Sequence, residues 1–272
     1  MEKDFVKENQ KILKAWEQEY IKRGKNICFV PDGIMFRGPI VKENGFWVRK
    51  ESGKENELWA NCPLRILYLT KDQNAGENHE DCWECRGGSL HRPNSNVEDY
   101  VLYNVTAFNT NLAKSLYGLV TTTPDKFIDF EDLDEKEVVK VSDEYPFAQI
   151  NCKKEAGGSS CPYPVLINAI NEYGSFLKQQ ILNLDADIFV CCGEMNNGCN
   201  PSFNFLNEIG YNFKYTNDGS YAIHYDAQKN KIAICAYHLG HRYSRKAMYE
   251  DIVKTYYVFL QEHPDFLKSH RK

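Results

Sequence analysis

Residues 64–70 read Leu-Arg-Ile-Leu-Tyr-Leu-Thr, an apolar run that follows Pro63 and precedes a polar loop. A short run of this kind, bounded by turn residues, is typical of a buried β-strand. The pattern recurs at residues 147–151 (FAQIN), 188–192 (IFVCC) and 232–237 (IAICAY). We therefore expect a sheet whose faces are both covered.

Helical periodicity fills the intervals between these runs, at residues 102–119, 165–184 and 245–261. An amphipathic helix is also predicted at residues 5–21, with Phe5, Ile12, Leu13, Trp16, Tyr20 and Ile21 at mostly helical spacing. Alternating strands and helices predict a three-layer α/β/α fold around a central, largely parallel sheet of four to five strands. Residues 221–225 and 231–237 flank a DAQKN turn and predict a hairpin at one edge.

The whole chain, residues 1–272, is predicted to form one domain. Residues 1–60 then supply an N-terminal helix and an extension packed on it, while residues 77–96 and 125–146 form insertions. The acidic run at 129–144 is most simply a solvated surface loop. A formal net charge of −5 argues against a protein that coats nucleic acid non-specifically, although residues 238–246 are basic.

The first 20 residues carry charges throughout and lack the apolar core of a secretory signal. Because no stretch approaches the roughly 18 apolar residues that span a bilayer, we expect a cytoplasmic protein with no membrane partner. The chain is also expected to be a monomer. Four of the ten cysteines, Cys28, Cys191, Cys192 and Cys235, lie in strand-like apolar runs. We interpret these four as small buried hydrophobic residues.

Polar side chains stand where three predicted strands end. Asp72 follows the first strand, Asn151 ends the second, and His238 follows the last. Each has an ordinary structural interpretation alone, as a turn residue or a hydrogen-bonded histidine. Ligands of parallel sheets bind beyond the carboxyl ends of the strands, so the three together predict a site in one cleft.

In order and spacing, residues 60–262 resemble the uracil-DNA glycosylase superfamily, whose members carry an Asp or Asn loop, an Asn and a His at these strand ends. The matching segments are YLTKDQN, FAQINCKK and CAYHLGH, and FAQINCKK with ADIFVCCGE is similar to the iron-sulfur branch. The resemblance implies a DNA partner and a monofunctional glycosylase that flips a base and cuts its glycosidic bond. It implies that Asp72 activates water, Asn151 reads the base and His238 faces it.

The chemistry also makes sense without the resemblance. Breaking an N-glycosidic bond builds positive character on the sugar and negative charge on the departing base. A carboxylate at Asp72 suits the sugar, and an imidazole at His238 suits the base. No cofactor is needed for this reaction.

Further residues are expected to contact the substrate. Phe108 is the candidate aromatic face for the flipped base, with plain core packing as the alternative. Asn74 adds an amide beside Asp72. His241 and Arg242 precede a predicted helix start that suits a phosphate, or else form a solvated basic end.

Four loop cysteines, Cys82, Cys85, Cys152 and Cys161, have the composition of a tetrahedral thiolate site. They predict an iron-sulfur cluster or zinc, with four reduced thiols as the alternative. The placement of Cys152 and Cys161 is similar to the second ligand pair of the iron-sulfur glycosylases. Cys82 and Cys85 follow Asp72, whereas the first pair of that branch precedes the catalytic Asp.

The substrate and the reaction class have alternatives. Small or polar groups at residues 73–76 and the polar insertion at 77–96 favour a hydroxyl-bearing modified cytosine of phage DNA, hence antiviral defence, over uracil repair. A nucleoside or nucleotide hydrolase and a catalytically inactive DNA-binding module are the rival functions. Lys71 adjoins Asp72 and offers a Schiff-base lyase variant.

Overall fold

The computed structural model describes most of the chain. The described ranges are 3–25, 27–35, 40–43, 46–49, 53–73, 106–158, 160–193, 200–216, 223–241 and 244–266, with backbone alone described at 40–43 and 46–49.

The described strands form one seven-stranded mixed sheet and one separate hairpin. The strands are β1 Gly33–Met35, β2 Ile40–Glu43, β3 Phe46–Arg49, β4 Ile66–Thr70, β5 Phe147–Asn151, β6 Ile188–Cys192, β7 Lys214–Tyr215, β8 Ile223–Asp226 and β9 Lys231–Ala236. The large sheet has the order β1-β5-β4-β6-β9-β8-β7, and β2 pairs only with β3 among the described strands. Its four central strands, β5, β4, β6 and β9, are parallel, while β1, β8 and β7 pair antiparallel at the two edges.

The parallel centre is confirmed, but the expected strand number is wrong. Seven strands replace the four to five predicted because short antiparallel strands extend both edges. The predicted hairpin is confirmed as β8 and β9, joined by a turn in which Asn230 adopts a left-handed φ of 53°.

The described helices are α1 Phe5–Lys22, α2 Glu55–Ala60, α3 Ala107–Thr121, α4 Glu135–Glu144, α5 Tyr163–Leu184, α6 Pro201–Glu208, α7 Arg245–Tyr249 and α8 Thr255–Glu262. A π-helical turn, Glu250–Lys254, joins α7 to α8, and a 3-10 turn lies at Phe130–Asp132. No helix in the described ranges has both the length and the apolar character needed to cross a membrane.

Two hydrophobic clusters cover the opposite faces of the large sheet. On one face, Leu67 and Leu69 of β4 join a cluster with α1 and α5. On the other, Ile66 and Tyr68 join a cluster with α3, α7 and α8. Every residue of β4, β5, β6 and β9 is buried, which explains why these strands read as apolar runs without alternation.

Helix α1 confirms the amphipathic pattern at the start of the chain. Asp4 caps the helix by accepting a hydrogen bond from the backbone N–H of Lys7. The predicted apolar positions are buried except for Ile21, which is 59% exposed, so its assignment to the buried face is wrong.

The acidic run at residues 129–144 is a helix rather than the predicted surface loop. Helix α4 begins after Asp134, whose carboxylate accepts from the backbone N–H of Lys136. Val138 and Val139 are buried against α3, while Glu137 and Glu144 are exposed and Glu135 is half-buried. Asp143, in the last turn, is buried. Three of the four acidic residues of α4 therefore lie away from the buried face of an amphipathic helix.

Three of the four cysteines assigned to apolar runs, Cys191, Cys192 and Cys235, are buried as predicted. Cys28 is only half-buried and belongs to no strand, so its assignment to the core is wrong.

Candidate functional site

The structure brings three of the predicted site residues together at the carboxyl end of the sheet. The rings of Phe108 and His238 lie 5.5 Å apart between centroids. The negative charge of Asp72 influences the pKa of the His238 imidazole. Asn151 ends the neighbouring strand β5, where it pairs with Thr70 of β4.

His238 has a defined tautomer and a low basicity. Its Nδ1 accepts a hydrogen bond from the backbone N–H of Gly240 at 3.2 Å, so the proton of the neutral ring lies on Nε2. Burial lowers the pKa of His238 to about 4, and the Lys71 ammonium adds to this effect. The Asp72 carboxylate opposes the shift, and His241 adds to it. At neutral pH His238 is therefore an uncharged hydrogen-bond donor.

Hydrogen bonds from α3 and within the turn itself fix the turn that follows β9. Asn111 of α3 donates from Nδ2 to the backbone carbonyl of Leu239 at 2.7 Å, and both residues are buried. The backbone N–H of His241 closes the turn on the carbonyl of His238 at 2.7 Å. A Cβ at Gly240 would lie 3.2 Å from Nδ1 of His238, so glycine suits this position. Asn111 is a supporting residue that the sequence pattern did not reveal.

Phe108 lies in the first turn of α3, which begins after the capping residue Thr106. Its side chain is half-buried and packs against the cluster between the sheet and α3. The same ring faces His238 at an interplanar angle of 41°. Phe108 thus contacts both the core cluster and His238, and its role as a stacking face for a base stays a prediction.

Asp72 is paired with a lysine that the sequence pattern did not reveal. Its Oδ2 lies 3.2 Å from Nζ of Lys153, and the two side chains are only 9% and 8% exposed. Lys153 also donates to the backbone carbonyl of Glu155 at 2.8 Å. The negative charge of Asp72 also contributes to the raised pKa of the Cys161 thiol. The Asp72 carboxylate is therefore held by a cation in a largely enclosed position.

The main chain continues to pair beyond the ends of β4 and β5. The backbone N–H groups of Cys152 and Lys153 donate to the carbonyls of Thr70 and Lys71, each at 2.9 Å. This pairing places Asp72 directly opposite the segment that follows β5.

Asn151 has one engaged amide atom and one free atom. Its Oδ1 accepts from Thr70 Oγ1 at 2.6 Å, and Thr70 Oγ1 accepts from Gln149 Nε2 at 3.1 Å. Asn151 is completely buried, and its Nδ2 has no hydrogen-bond partner within the described part of the chain. The chain of hydrogen bonds therefore leaves Asn151 with an unused donor.

A buried ion pair anchors the end of β5. Lys154 Nζ lies 2.6 and 2.7 Å from the two carboxylate oxygens of Asp32, and neither side chain is exposed. Asp32 also accepts from the backbone N–H of Asn151 and from Nε2 of Gln180. These contacts satisfy the buried charges and fix the backbone at Asn151. Neither Asp32 nor Lys154 was singled out from the sequence.

The predicted phosphate-binding segment is described only in part. His241 is exposed and stacks on Tyr237, with 5.3 Å between ring centroids. Lys246 pairs with Glu131 at 2.6 Å, which offsets one of the basic charges counted there. Arg242 lies outside the described residues, as does Asn74, the amide expected beside Asp72.

Two of the four candidate metal ligands are described. Burial raises the pKa of Cys152 to about 12 and that of Cys161 to about 11, so both remain thiols at neutral pH unless a metal displaces the proton. The thiol of Cys161 lies 3.9 Å from the backbone carbonyl of Pro162, to which it donates. Within the described ranges, no three or more His, Cys, Asp or Glu side chains form a group able to hold a metal ion. Cys82 and Cys85 lie outside these ranges, and the four-cysteine site stays a prediction.

Comparisons with protein-family models, with curated proteins and with solved structures each gave no significant match to this chain.

Proposed function

We propose that this protein is a DNA glycosylase, which flips a base out of DNA and hydrolyses its N-glycosidic bond to leave an abasic site. The observation that carries the proposal is the ring contact of His238 with Phe108 at the carboxyl end of a parallel sheet, where the charge of Asp72 acts on the imidazole. A fold of the uracil-DNA glycosylase type is part of the proposal, as is a location in the cytoplasm.

In this reaction His238 supports the departing base. The bond between Gly240 N–H and Nδ1 directs the Nε2 proton away from the turn, where it donates to an oxygen or nitrogen of the base. Negative charge grows on that atom as the glycosidic bond breaks, so the hydrogen bond strengthens toward the transition state. Because burial keeps the ring neutral at pH 7, His238 acts by hydrogen bonding and needs no proton of its own from solvent.

Asp72 supports the sugar and the water. Its carboxylate balances the positive character that develops at C1′ and orients a water molecule toward that carbon. The water supplies the hydroxyl of the abasic sugar, and its remaining proton leaves with the base or to solvent.

Phe108 and Asn151 hold the flipped base in the proposal. The ring of Phe108 offers a stacking face beside His238. Asn151 offers its unused Nδ2 donor to an acceptor on the base. Since Asn151 is completely buried in the free protein, a base reaches it only when the groups that cover it move.

Base release from a panel of DNAs tests the proposed function. Genomic DNA, a uracil-containing DNA, and phage DNAs with unmodified, hydroxymethylated and glucosylated cytosine are incubated with the protein, and abasic sites are detected by alkaline cleavage. We expect abasic sites in at least one DNA, and a modified cytosine to be released faster than uracil. Faster release of uracil would assign the protein to repair instead.

The rival functions give different results in the same assay. A nucleoside or nucleotide hydrolase releases base from free nucleosides but not from oligonucleotides. A DNA-binding module retains DNA without producing abasic sites, and its affinity for DNA does not change when Asp72 is substituted.

A further inference from the structure

The carboxylate of Asp72 contacts the segment that follows β5 on two sides. Lys153 Nζ lies 3.2 Å from Oδ2. A Cβ built on Gly157 would lie 2.0 Å from the same oxygen and 2.8 Å from Cγ, so the carboxylate rests against the bare α-carbon of this glycine. The backbone N–H of Gly157 donates to the carbonyl of Gln73 at 2.8 Å, which ties the segment to the Asp72 loop.

The two neighbouring lysines after β5 have different surroundings. Lys154 is completely buried, and its contacts with Asp32 and with the carbonyl of Asn151 hold the strand end. Lys153 faces the site, where Asp72 and the carbonyl of Glu155 are its partners. Lys154 therefore holds the end of β5, whereas Lys153 contacts the Asp72 carboxylate.

We propose that Lys153 is a positioning residue for the reaction suggested above: it holds Oδ2 of Asp72 against Gly157 and so fixes the carboxylate that orients the attacking water. The inference rests on the proposed glycosylase function. An enclosed carboxylate without its cation is poorly compensated and turns toward water. A displacement of about 1 Å at a catalytic group is enough to slow a reaction by up to about 10²-fold.

Lys153 acts here through geometry. An ammonium this close to a carboxylate weakens the field that Asp72 exerts on the sugar, so it does not add charge stabilisation to the transition state. What it supplies is a fixed carboxylate, and an arginine at this position, with the same charge, is expected to supply the same.

The test is a double-mutant cycle on base release. Single-turnover rates and DNA dissociation constants are measured for the parent, Lys153→Met, Lys153→Arg, Asp72→Asn and the Asp72→Asn/Lys153→Met double variant. The probes are a labelled duplex with one uracil and a matched duplex with one glucosylated hydroxymethylcytosine. Lys11→Met is the control, since Lys11 is exposed on α1 and pairs with Glu8 of the same helix at 3.0 Å. Lys153→Gln, which also removes the ammonium charge that compensates Asp72, is added should Lys153→Met fail to fold.

We expect Lys153→Met to slow base release about tenfold or more, while the dissociation constant for DNA changes less than about twofold. Lys153→Arg should remain within about threefold of the parent rate, and Lys11→Met should match the parent rate. In the Asp72→Asn background, Lys153→Met should cause no further loss, because both changes remove the same interaction.

Three results would overturn the inference. Losses that multiply in the double variant would show that Lys153 does not act through Asp72. Lys153→Met or Lys153→Gln at the parent rate would show that it is dispensable. A parent–DNA adduct trapped by borohydride and absent from Lys153→Arg would make the lysine a nucleophile. If the parent releases base from neither these duplexes nor the DNA panel, the proposed glycosylase function itself fails, a result distinct from these three.

Discussion

Nδ1 of His238 lies 3.2 Å from the backbone nitrogen of Gly240, two residues further along the turn that follows β9. This hydrogen bond selects the tautomer with the proton on Nε2, and burial disfavours a second proton. The depressed basicity of His238 has a consequence for stability that is independent of function.

His238 should make the folded state sensitive to mild acid. Its pKa is about 4 in the folded protein, against an ordinary value of 6.5 for a solvated imidazole, so well above pH 6.5 it is neutral in both the folded and the unfolded chain. As the pH falls from 6.5 toward 4, the unfolded chain binds a proton that the folded chain refuses, and stability is lost. Thermal unfolding at pH 7 and pH 4.5 should show a larger drop for the parent than for His238→Gln. Equal drops would mean that the imidazole is not shielded.

The close approach of Gly157 to Asp72 predicts an effect of a single methyl group. Gly157→Ala places a Cβ 2.0 Å from Oδ2, so the carboxylate has to move, and base release should slow about tenfold or more. The matched control is Gly158→Ala, where no atom of the residues that the structure describes lies within 4 Å of the new Cβ. Neither glycine has a left-handed φ, so backbone strain does not confuse the comparison. Equal rates for the two variants would contradict the placement of Asp72.

Removing one partner of the Asp32–Lys154 ion pair should greatly lower the free energy of unfolding. Lys154→Met leaves Asp32 as an uncompensated buried charge and should cost about 3–5 kcal/mol in the free energy of unfolding. Lys11→Met removes an exposed pair with Glu8 and should cost less than about 1 kcal/mol. Urea unfolding of both variants measures the difference. Similar losses would show that the pair is not buried in solution.

Metal content decides the role of Cys152 and Cys161. If they bind metal together with Cys82 and Cys85, anaerobically purified protein should be brown with an iron-sulfur cluster or carry about one equivalent of zinc. Elemental analysis that finds neither iron nor zinc would leave the cysteines as reduced thiols. A Cys82→Ser variant that retains its full metal content would exclude the four-cysteine site.

Local patterns predicted the central strands and the residues at their ends. Ile66–Thr70 and Lys231–Ala236 are buried throughout, so the apolar composition of these runs indicates a strand covered on both faces. Asp72 and His238 were found because the carboxyl ends of parallel strands converge. Edge strands such as Gly33–Met35 and Lys214–Tyr215 were missed because two or three residues give no periodic signal.

The supporting residues were missed because their partners are distant in sequence. Lys153 is 81 residues from Asp72, Lys154 is 122 from Asp32, and Asn111 is 128 from Leu239. A lysine or asparagine in such a place has the same local pattern as an exposed one. Helix α4 was missed because acidic residues outnumber the buried Val138 and Val139 that define its inner face.

Mass spectrometry tests the glycosylase proposal at its chemical step, because it identifies the base that is released. The parent and Asp72→Asn are compared on the same modified and unmodified duplexes. We predict a free base and an abasic strand from the parent, with release by Asp72→Asn slower by about 10²-fold or more and DNA binding retained. Release at the parent rate by Asp72→Asn, or no free base from any duplex, would contradict the assignment of this site to base excision.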